Sequence, residues 1–211
     1  MSGRLRVGIA ISGGGSNMAA LLADMAAPDH PAECVLVAAN RPDAPGLARA
    51  AAAGAATAAL DHRAHAGRED FDRALSAAFE AAGAELVCLA GFMRLLSPWF
   101  VTRWRDRLIN IHPALLPAFR GLRTHERALA EGVALHGCTV HLVREEVDAG
   151  PILGQAAVKV RADEDATTLA GRVLAMEHRL YPRCLRAWAE GALAMSDGRL
   201  AGQPVALFEG E

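Results

Sequence analysis

With 211 residues, 52% of them hydrophobic, the chain can bury a substantial core as one domain, or as one core with two lobes. A net charge of −2 excludes a broad basic surface for nucleic acid, so any anionic substrate must be held locally. No stretch approaches the apolar run needed to span a bilayer, and Met1-Ser2-Gly3-Arg4 leads into a short apolar strand rather than an export signal, so a cytoplasmic protein is expected.

Short apolar runs alternate with Ala- and Leu-rich segments of helical length. Val7 to Ile11 is followed by Met18 to Met25, and Cys34 to Ala39 by Gly46 to Ala53. Ala56 to Leu60 is followed by Glu69 to Ala82, and Leu86 to Ala90 by Pro98 to Trp104. This repeating pattern predicts an α/β fold, a Rossmann-like and mostly parallel twisted sheet flanked by helices. Ligands in such sheets lie at the carboxyl ends of the strands. Pro45, Gly46 and Gly54 punctuate the Ala-rich tract Ala44 to Ala59 as a helix and a short strand, not a disordered segment. A further apolar run, Leu108-Ile109, ends in Asn110-Ile111-His112 and is stopped by Pro113.

Beyond Pro113 the pattern changes. Cys138 to Val143 alternates, with Cys138, Val140 and Leu142 on one face and Thr139 and His141 on the other; Ile152 to Val160 reads as its pairing strand. Ala166 to Glu190 fits one long helix interrupted near Pro182. The four cysteines are far apart without CxxC spacing, so reduced and largely buried thiols are expected. His136 and His141 have a spacing seen in metal sites, but no cysteine pair accompanies them and there is no HExxH.

Alternate side chains of an extended strand share a face, so Asn110 and His112 project together while Ile111 points the other way. An amide donor beside an imidazole is the minimum equipment for stabilising an oxyanion and moving a proton at a carbonyl carbon. The same residues also suit an edge strand that simply runs into a Pro turn. Ser12-Gly13-Gly14-Gly15-Ser16-Asn17 lies between the first strand and helix, where backbone amides and the helix N-terminus favour a phosphate; Asn17 reads as the helix N-cap. The loop lacks the Gly-Lys-Ser/Thr of an NTPase. It also lacks the third glycine of a dinucleotide site, holding Met18 there, and the second strand leads to Asn40 where an acidic ribose ligand would be expected, so a phosphomonoester fits better. Asp148-Ala149-Gly150-Pro151 reads as a turn between strands. If that loop folds over the end of the Asn110 strand, Asp148 would face His112, and a carboxylate there favours the imidazolium.

These signals coincide in a chain that resembles the folate-dependent glycinamide ribonucleotide formyltransferases along nearly its whole length. The resemblance rests on Ile11 to Asn17, on Leu89-Ala90-Gly91-Phe92-Met93-Arg94-Leu95-Leu96-Ser97-Pro98, and on Leu108 to Pro117. It continues through His136-Gly137 with Thr139-Val140-His141, Asp148-Ala149-Gly150-Pro151 and Glu177-His178. The segment after Pro117, Ala118-Phe119-Arg120-Gly121-Leu122-Arg123, departs from a Pro-Gly pair common in the family.

The resemblance implies a formyltransferase fold in a single domain, 1–211, with an N-terminal phosphate-binding lobe, 1–108, and a C-terminal catalytic and folate-binding lobe, 109–211. It implies a catalytic trio of Asn110, His112 and Asp148. Gly15, Ser16 and Asn17 would hold the ribonucleotide phosphate, with Glu177 near the substrate amine. Arg68, Met93, Arg94, Leu95, Leu96, Asn110, and the loop Arg144, Glu145, Glu146, Val147 and Asp148 would serve the folate. The implied activity transfers the formyl group of 10-formyltetrahydrofolate, as co-substrate and without a metal, to glycinamide ribonucleotide in purine synthesis. Both partners are small molecules, with no nucleic acid or membrane involved and a monomer or homodimer as the assembly.

Formyltetrahydrofolate hydrolases and methionyl-tRNA formyltransferases share the trio. The first normally carries an extra N-terminal domain and lacks the Gly-rich loop; the second carries a C-terminal nucleic-acid-binding domain. The compact chain and its Gly-rich loop lead to neither being expected. A non-catalytic nucleotide-binding module is the alternative of another class.

Overall fold

The computed structural model describes residues 3–210; Met1 and Ser2 of the expected leaderless N-terminus, and Glu211, lie outside the described residues. The chain forms two compact units, Met1–Asn110 and Ile111–Glu211.

The first unit runs β1 (Leu5–Ile11), α1 (Ser16–Met25), β2 (Ala32–Ala39), α2 (Pro45–Ala52), β3 (Thr57–Ala59), a 3-10 turn (His62–Ala64), α3 (Arg68–Ala81), β4 (Leu86–Leu89) and α4 (Pro98–Arg103), and enters β5 (Leu108–His112). Its strands pair in parallel in the order β3-β2-β1-β4-β5. Because β1 to β3 step in one direction and β4 to β5 in the other, right-handed crossovers send α1 and α2 to one face and α3 and α4 to the opposite one. The helices accordingly pack in those two pairs. The strand order therefore reverses between β1 and β4, which opens a crevice at the carboxyl ends of these two strands.

The apolar runs were legible because both faces of these strands are covered: Val7, Ile9, Val87, Cys88 and Ile109 are fully buried. Gly8 leaves room for the Phe79 ring of α3, which an added Cβ would overlap. Phe79 in turn meets Trp104 edge to face at 6.3 Å, and the indole Nε1 donates to Ser76 Oγ at 2.9 Å. Asn17 is not the N-cap the sequence suggests. Gly15, at φ 68, occupies that position without a side-chain cap, and the helix starts at Ser16, two residues before the expected Met18, leaving Asn17 buried in its first turn.

In the second unit, β6 (Leu135–Leu142) pairs antiparallel with β7 (Ile152–Lys159), and β10 (Val205–Phe208) adds in parallel to the other edge of β7. Helix α5 (Thr124–Ala130) precedes β6, α6 (Ala166–Ala189) packs across β6, β7 and β10, and a hairpin of β8 (Ala194–Ser196) and β9 (Arg199–Ala201) follows. Helix α6 is continuous through Pro182, against the expected interruption. A proline inside a helix costs about 3 kcal/mol, but Leu180, Tyr181, Pro182, Cys184 and Leu185 are all buried, and that packing holds the helix together.

Both faces of β6 are covered, and Thr139 finds its hydrogen-bond partners internally. Thr139 Oγ1 donates to Ala114 O at 2.7 Å and accepts from Leu116 N at 3.0 Å, while Gln155 Nε2 donates to Leu116 O at 2.8 Å. These bonds fix the chain as it leaves Pro113. The Arg172 guanidinium ties the end of β7 to the C-terminal strand, donating to Glu164 at 2.6 Å, to Lys159 O at 2.8 Å and to Glu209 Oε1 at 2.8 Å.

None of the four cysteines, all among the described residues, is in a disulfide; Cys88, Cys138 and Cys184 are buried and Cys34 is half-buried, its thiol pushed up to about 11 by burial. Among the described residues no helix is long and apolar enough to cross a membrane.

Gly137 is the position where β6 tolerates no side chain, because a Cβ would overlap the Ala156 carbonyl of the paired strand. Backbone in a ladder has little freedom to retreat, and overpacking typically costs about 1–3 kcal/mol. Gly137→Ala should therefore lower stability by about 2 kcal/mol or more, read as a shift of the urea unfolding midpoint at unchanged slope.

Candidate active site

In the first unit the crevice at the strand-order reversal is a cavity of about 650 Å³. Its floor is the Ser12 to Asn17 loop after β1; Asn40 and Arg41 after β2, Arg49 of α2, His62, and Ala90, Gly91, Met93 and Arg94 after β4 complete the wall. The loop is held in two places. Ser12 Oγ accepts from Met93 N at 2.8 Å, and Gly46 N donates to Gly13 O at 3.0 Å.

The three glycines serve different ends. A Cβ at Gly15 would crowd Met18 Cε at 2.6 Å and Gly46 Cα at 3.3 Å, and its φ is positive, so packing demands glycine there. At Gly13 and Gly14 an added Cβ would meet nothing within 4 Å. Their bare backbone instead leaves the peptide groups accessible at the amino end of α1, where the helix dipole favours an anion. Of the cavity lining, Asn40, Arg41, Arg49 and His62 were not identified as site residues. Each follows a strand end or lies on a flanking helix, a placement that only the sheet order supplies.

Arg68, Met93, Arg94 and Leu95 come together around a second cavity of about 220 Å³. Met93 is 75% and Leu95 58% exposed, whereas Phe92 is buried in the core. The Arg94 guanidinium lies 5.2 Å from the centre of the Phe71 ring. Leu96 is half-buried and lines neither cavity.

In the second unit the strand end and the Asp148 turn meet. His112 is 5% exposed, with Nδ1 3.3 Å from Asp148 Oδ2. Its Nε2 lies 3.0 Å from Phe119 O. Asp148 Oδ2 also accepts from Gly121 N at 2.9 Å, and Oδ1 lies 3.8 Å from His141 Nε2. A carbonyl oxygen and a carboxylate only accept, so each ring nitrogen of His112 faces an acceptor. Asp148 stands at φ 52, a left-handed conformation that Asp tolerates better than most residues. Asn110 precedes His112 by two residues on the same strand and is half-buried.

The segment that departs from the family pattern supplies part of this environment. Phe119, Gly121 and Arg123 all have positive φ, and the resulting bend turns Phe119 O toward His112 and Gly121 N toward Asp148. Arg127 Nη1 donates to Arg120 O at 2.7 Å, and Arg120 pairs with Glu146. Of the proposed folate loop, Glu145, Glu146 and Val147 are exposed, while Arg144 and Asp148 are partly covered; Glu177 is buried on α6. His141 and the Gly121 amide were not identified as site residues, although a histidine on a core strand was a visible signal for the first. Among the described residues no group of three His, Cys, Asp or Glu side chains is arranged to hold a metal ion.

The formyl transferase family matches residues 5–185 of this chain, which sets it in the class of formyl-transferring enzymes. The chain is 40% identical over 193 residues to phosphoribosylglycinamide formyltransferase of Escherichia coli (strain K12), covering 92% of this chain and 91% of that protein. The crystal structure of phosphoribosylglycinamide formyltransferase from Brucella melitensis is 51% identical with a TM-score of 0.85, covering 92% of this chain and 100% of that one. Trifunctional purine biosynthetic protein adenosine-3 of Gallus gallus is 43% identical over 194 residues, and the chain spans 19% of that longer relative. The chain belongs to the phosphoribosylglycinamide formyltransferase family.

Behind the Phe119 bend, His136 is buried against His125, with His125 Nδ1 and His136 Nε2 3.2 Å apart. Burial, followed by the neighbouring histidines, pushes the His136 ring down to about 4. An unfolded histidine takes its proton near 6.5, so between these values protonation favours the unfolded chain, and stability falls as pH drops through that window. His136→Gln should flatten the dependence of melting temperature on pH between 6.5 and 4; an unchanged slope would assign it to other groups.

Proposed function

We propose that the protein transfers the formyl group of 10-formyltetrahydrofolate to the primary amine of glycinamide ribonucleotide, a step of purine synthesis carried out in the cytoplasm. The observation that carries this reading is the His112–Asp148 contact of 3.3 Å at the end of a strand whose Asn110 projects on the same side as His112. His112 Nε2 already faces a carbonyl oxygen, that of Phe119, and the formyl oxygen would take its place as acceptor.

In this mechanism the amine attacks the formyl carbon and gives a tetrahedral oxyanion, to which Asn110 and His112 donate. Asp148 keeps His112 charged and carries the proton released by the amine toward the leaving folate nitrogen. Collapse of the intermediate then expels that nitrogen and leaves the formamide. No net proton is gained or lost.

The ribonucleotide phosphate would lie on the Gly15-Ser16-Asn17 turn, and Glu177 would meet the amine end of the same substrate. The folate would contact Arg68, Met93, Arg94, Leu95 and Leu96, with Asn110 and the loop Arg144 to Asp148. Two arginines beside exposed apolar side chains suit a ligand with a flat ring at one end and carboxylates at the other.

Mixing the protein with both substrates, and with each omitted in turn, tests the reading directly. Formate released from the folate without the ribonucleotide would mark a hydrolase, and no turnover at all a binding module. Asn110→Ala should lower kcat by about 10² to 10³-fold while ribonucleotide binding persists; unchanged turnover removes Asn110 from the mechanism. Replacing Ser16 and Asn17 by Ala should instead raise KM for the ribonucleotide with little change in kcat, because phosphate contacts are made equally before and during reaction.

A further inference from the structure

The peptide group between Arg120 and Gly121 is held from both edges. Its N–H donates to Asp148 Oδ2 at 2.9 Å, and its carbonyl oxygen accepts from Arg127 Nη1 at 2.7 Å. The N–H and C=O of a trans peptide point in opposite directions, so the guanidinium pulls from the side away from the carboxylate. The peptide group just before it sends Phe119 O toward His112 Nε2 at 3.0 Å. Asp148 Oδ2 is also the oxygen that faces His112 Nδ1 at 3.3 Å, so the Gly121 amide sets how the carboxylate meets the ring.

Sterics alone do not fix this orientation. Gly121 has φ 80, and glycine adopts either sign of φ about as readily, so the peptide group can turn over at little cost. An added Cβ at Gly121 would meet nothing within 4 Å, so no packing against that carbon confines it. Turned over, the peptide would withdraw its amide from the carboxylate and present an oxygen instead. The charge-assisted bond from Arg127 opposes that rotation. Helix α5 steadies the half-buried arginine, whose N donates to Arg123 O at 3.1 Å. Its guanidinium lies 5.4 Å from the centre of the Phe119 ring, which meets His136 edge to face at 5.8 Å. The Arg120 side chain instead reaches the exposed Glu146, where an ion pair contributes little.

We propose that Arg127 is a positioning residue for formyl transfer: by holding the Arg120 carbonyl it keeps the Gly121 amide on Asp148 and the carboxylate turned toward His112. This rests on the reading of His112 and Asp148 as the pair that acts at the formyl carbon and the amine. Arg127 acts through one peptide group and not on the reacting atoms. A carbonyl bound by a guanidinium also polarises the amide of its own peptide, which makes the Gly121 N–H a stronger donor.

Three replacements separate the donor from the packing. Arg127→Ala removes both, Arg127→Met keeps an apolar stem beside Phe119 without a donor, and Arg127→Lys keeps a cationic donor without the planar fork. Ala and Met should each lose kcat by about 10-fold with KM for both substrates within about 2-fold, because a displaced catalytic pair costs rate and not binding. Lys should recover most of the rate. Guanidinium at a non-denaturing concentration should raise kcat of Arg127→Ala, and sodium chloride at the same concentration should not. Hydrogen exchange of the Gly121 amide, read by NMR, should be about 10-fold faster in the Ala and Met proteins than in the Lys protein. Unchanged kcat in folded Arg127→Ala and Arg127→Met overturns the proposal. A lowered kcat with unchanged Gly121 exchange overturns it as well, as does a loss that neither Lys nor guanidinium repairs, since Arg127 would then only pack α5. Absence of formyl transfer by the unsubstituted protein would instead overturn the functional reading, and the Gly121 exchange rates would still decide whether Arg127 holds the peptide.

Discussion

The second unit is organised around one carboxylate withdrawn from water. The Asp148 side chain is 10% exposed, and an isolated buried carboxylate would be untenable, since the lost hydration must be replaced by donors. The donors come from separate segments: the Gly121 amide from the bend after Pro117, and the His112 ring from the end of β5. Each then acquires a constraint of its own. The bend needs positive φ at Phe119, Gly121 and Arg123, β5 must stop at Pro113, and the turn must bring Asp148 back before β7 begins. At Gly150 a Cβ would overlap Leu142 O, so that return passes too close to β6 for any side chain.

A different constraint shapes the first unit. Its crevice needs no buried charge, because the reversal of strand order leaves the carboxyl ends of β1 and β4 diverging. In the proposed function backbone amides at the amino end of α1 would serve the substrate anion, with Arg41, Arg49 and Arg94 around the same cavity. One unit therefore holds charge by dipoles and exposed cations in reach of water. The other holds it by desolvated partners. The two solutions suit different tasks, since binding a phosphate requires only attraction, whereas moving a proton requires a group whose two protonation states are close in free energy.

What was legible in the sequence follows from how local each feature is. The parallel strands could be read from their apolar runs, and the shared face of Asn110 and His112 from the period of a strand. The approach of Asp148 could only be posed as a condition, because it depends on where a turn folds and not on residue pattern. His141 was visible as the polar member of an alternating strand, yet alternation suggests a solvated face, and the second covering layer that buries it has no local signature. Asn17 was misread as a cap because Asn is a good capping residue; Gly15 in the left-handed region takes that place two residues earlier in the loop. Pro182 was misread as a break because propensity is a weak guide where a helix face is buried. Helix α5 and the short strands β8, β9 and β10 were not identified; at 7, 3, 3 and 4 residues they are too short to develop a period.

In the proposed reaction the charges around the Asp148 carboxylate stay balanced. That reaction calls for an imidazolium at His112 beside a carboxylate at Asp148, which sum to zero, and each ion partly replaces the other's hydration. Adding a second imidazolium at His141 would leave a net positive charge with little water to screen it, which is the direction in which burial and His112 both act on that ring. Transfer of a proton from the amine to Asp148 removes the negative partner and leaves His112 uncompensated unless charge has meanwhile developed elsewhere. In the proposed reaction it has, because the oxyanion forms as the amine attacks and lies against His112. The proton and the negative charge therefore exchange places around one cation, and the site stays neutral at each step without drawing an ion from solvent.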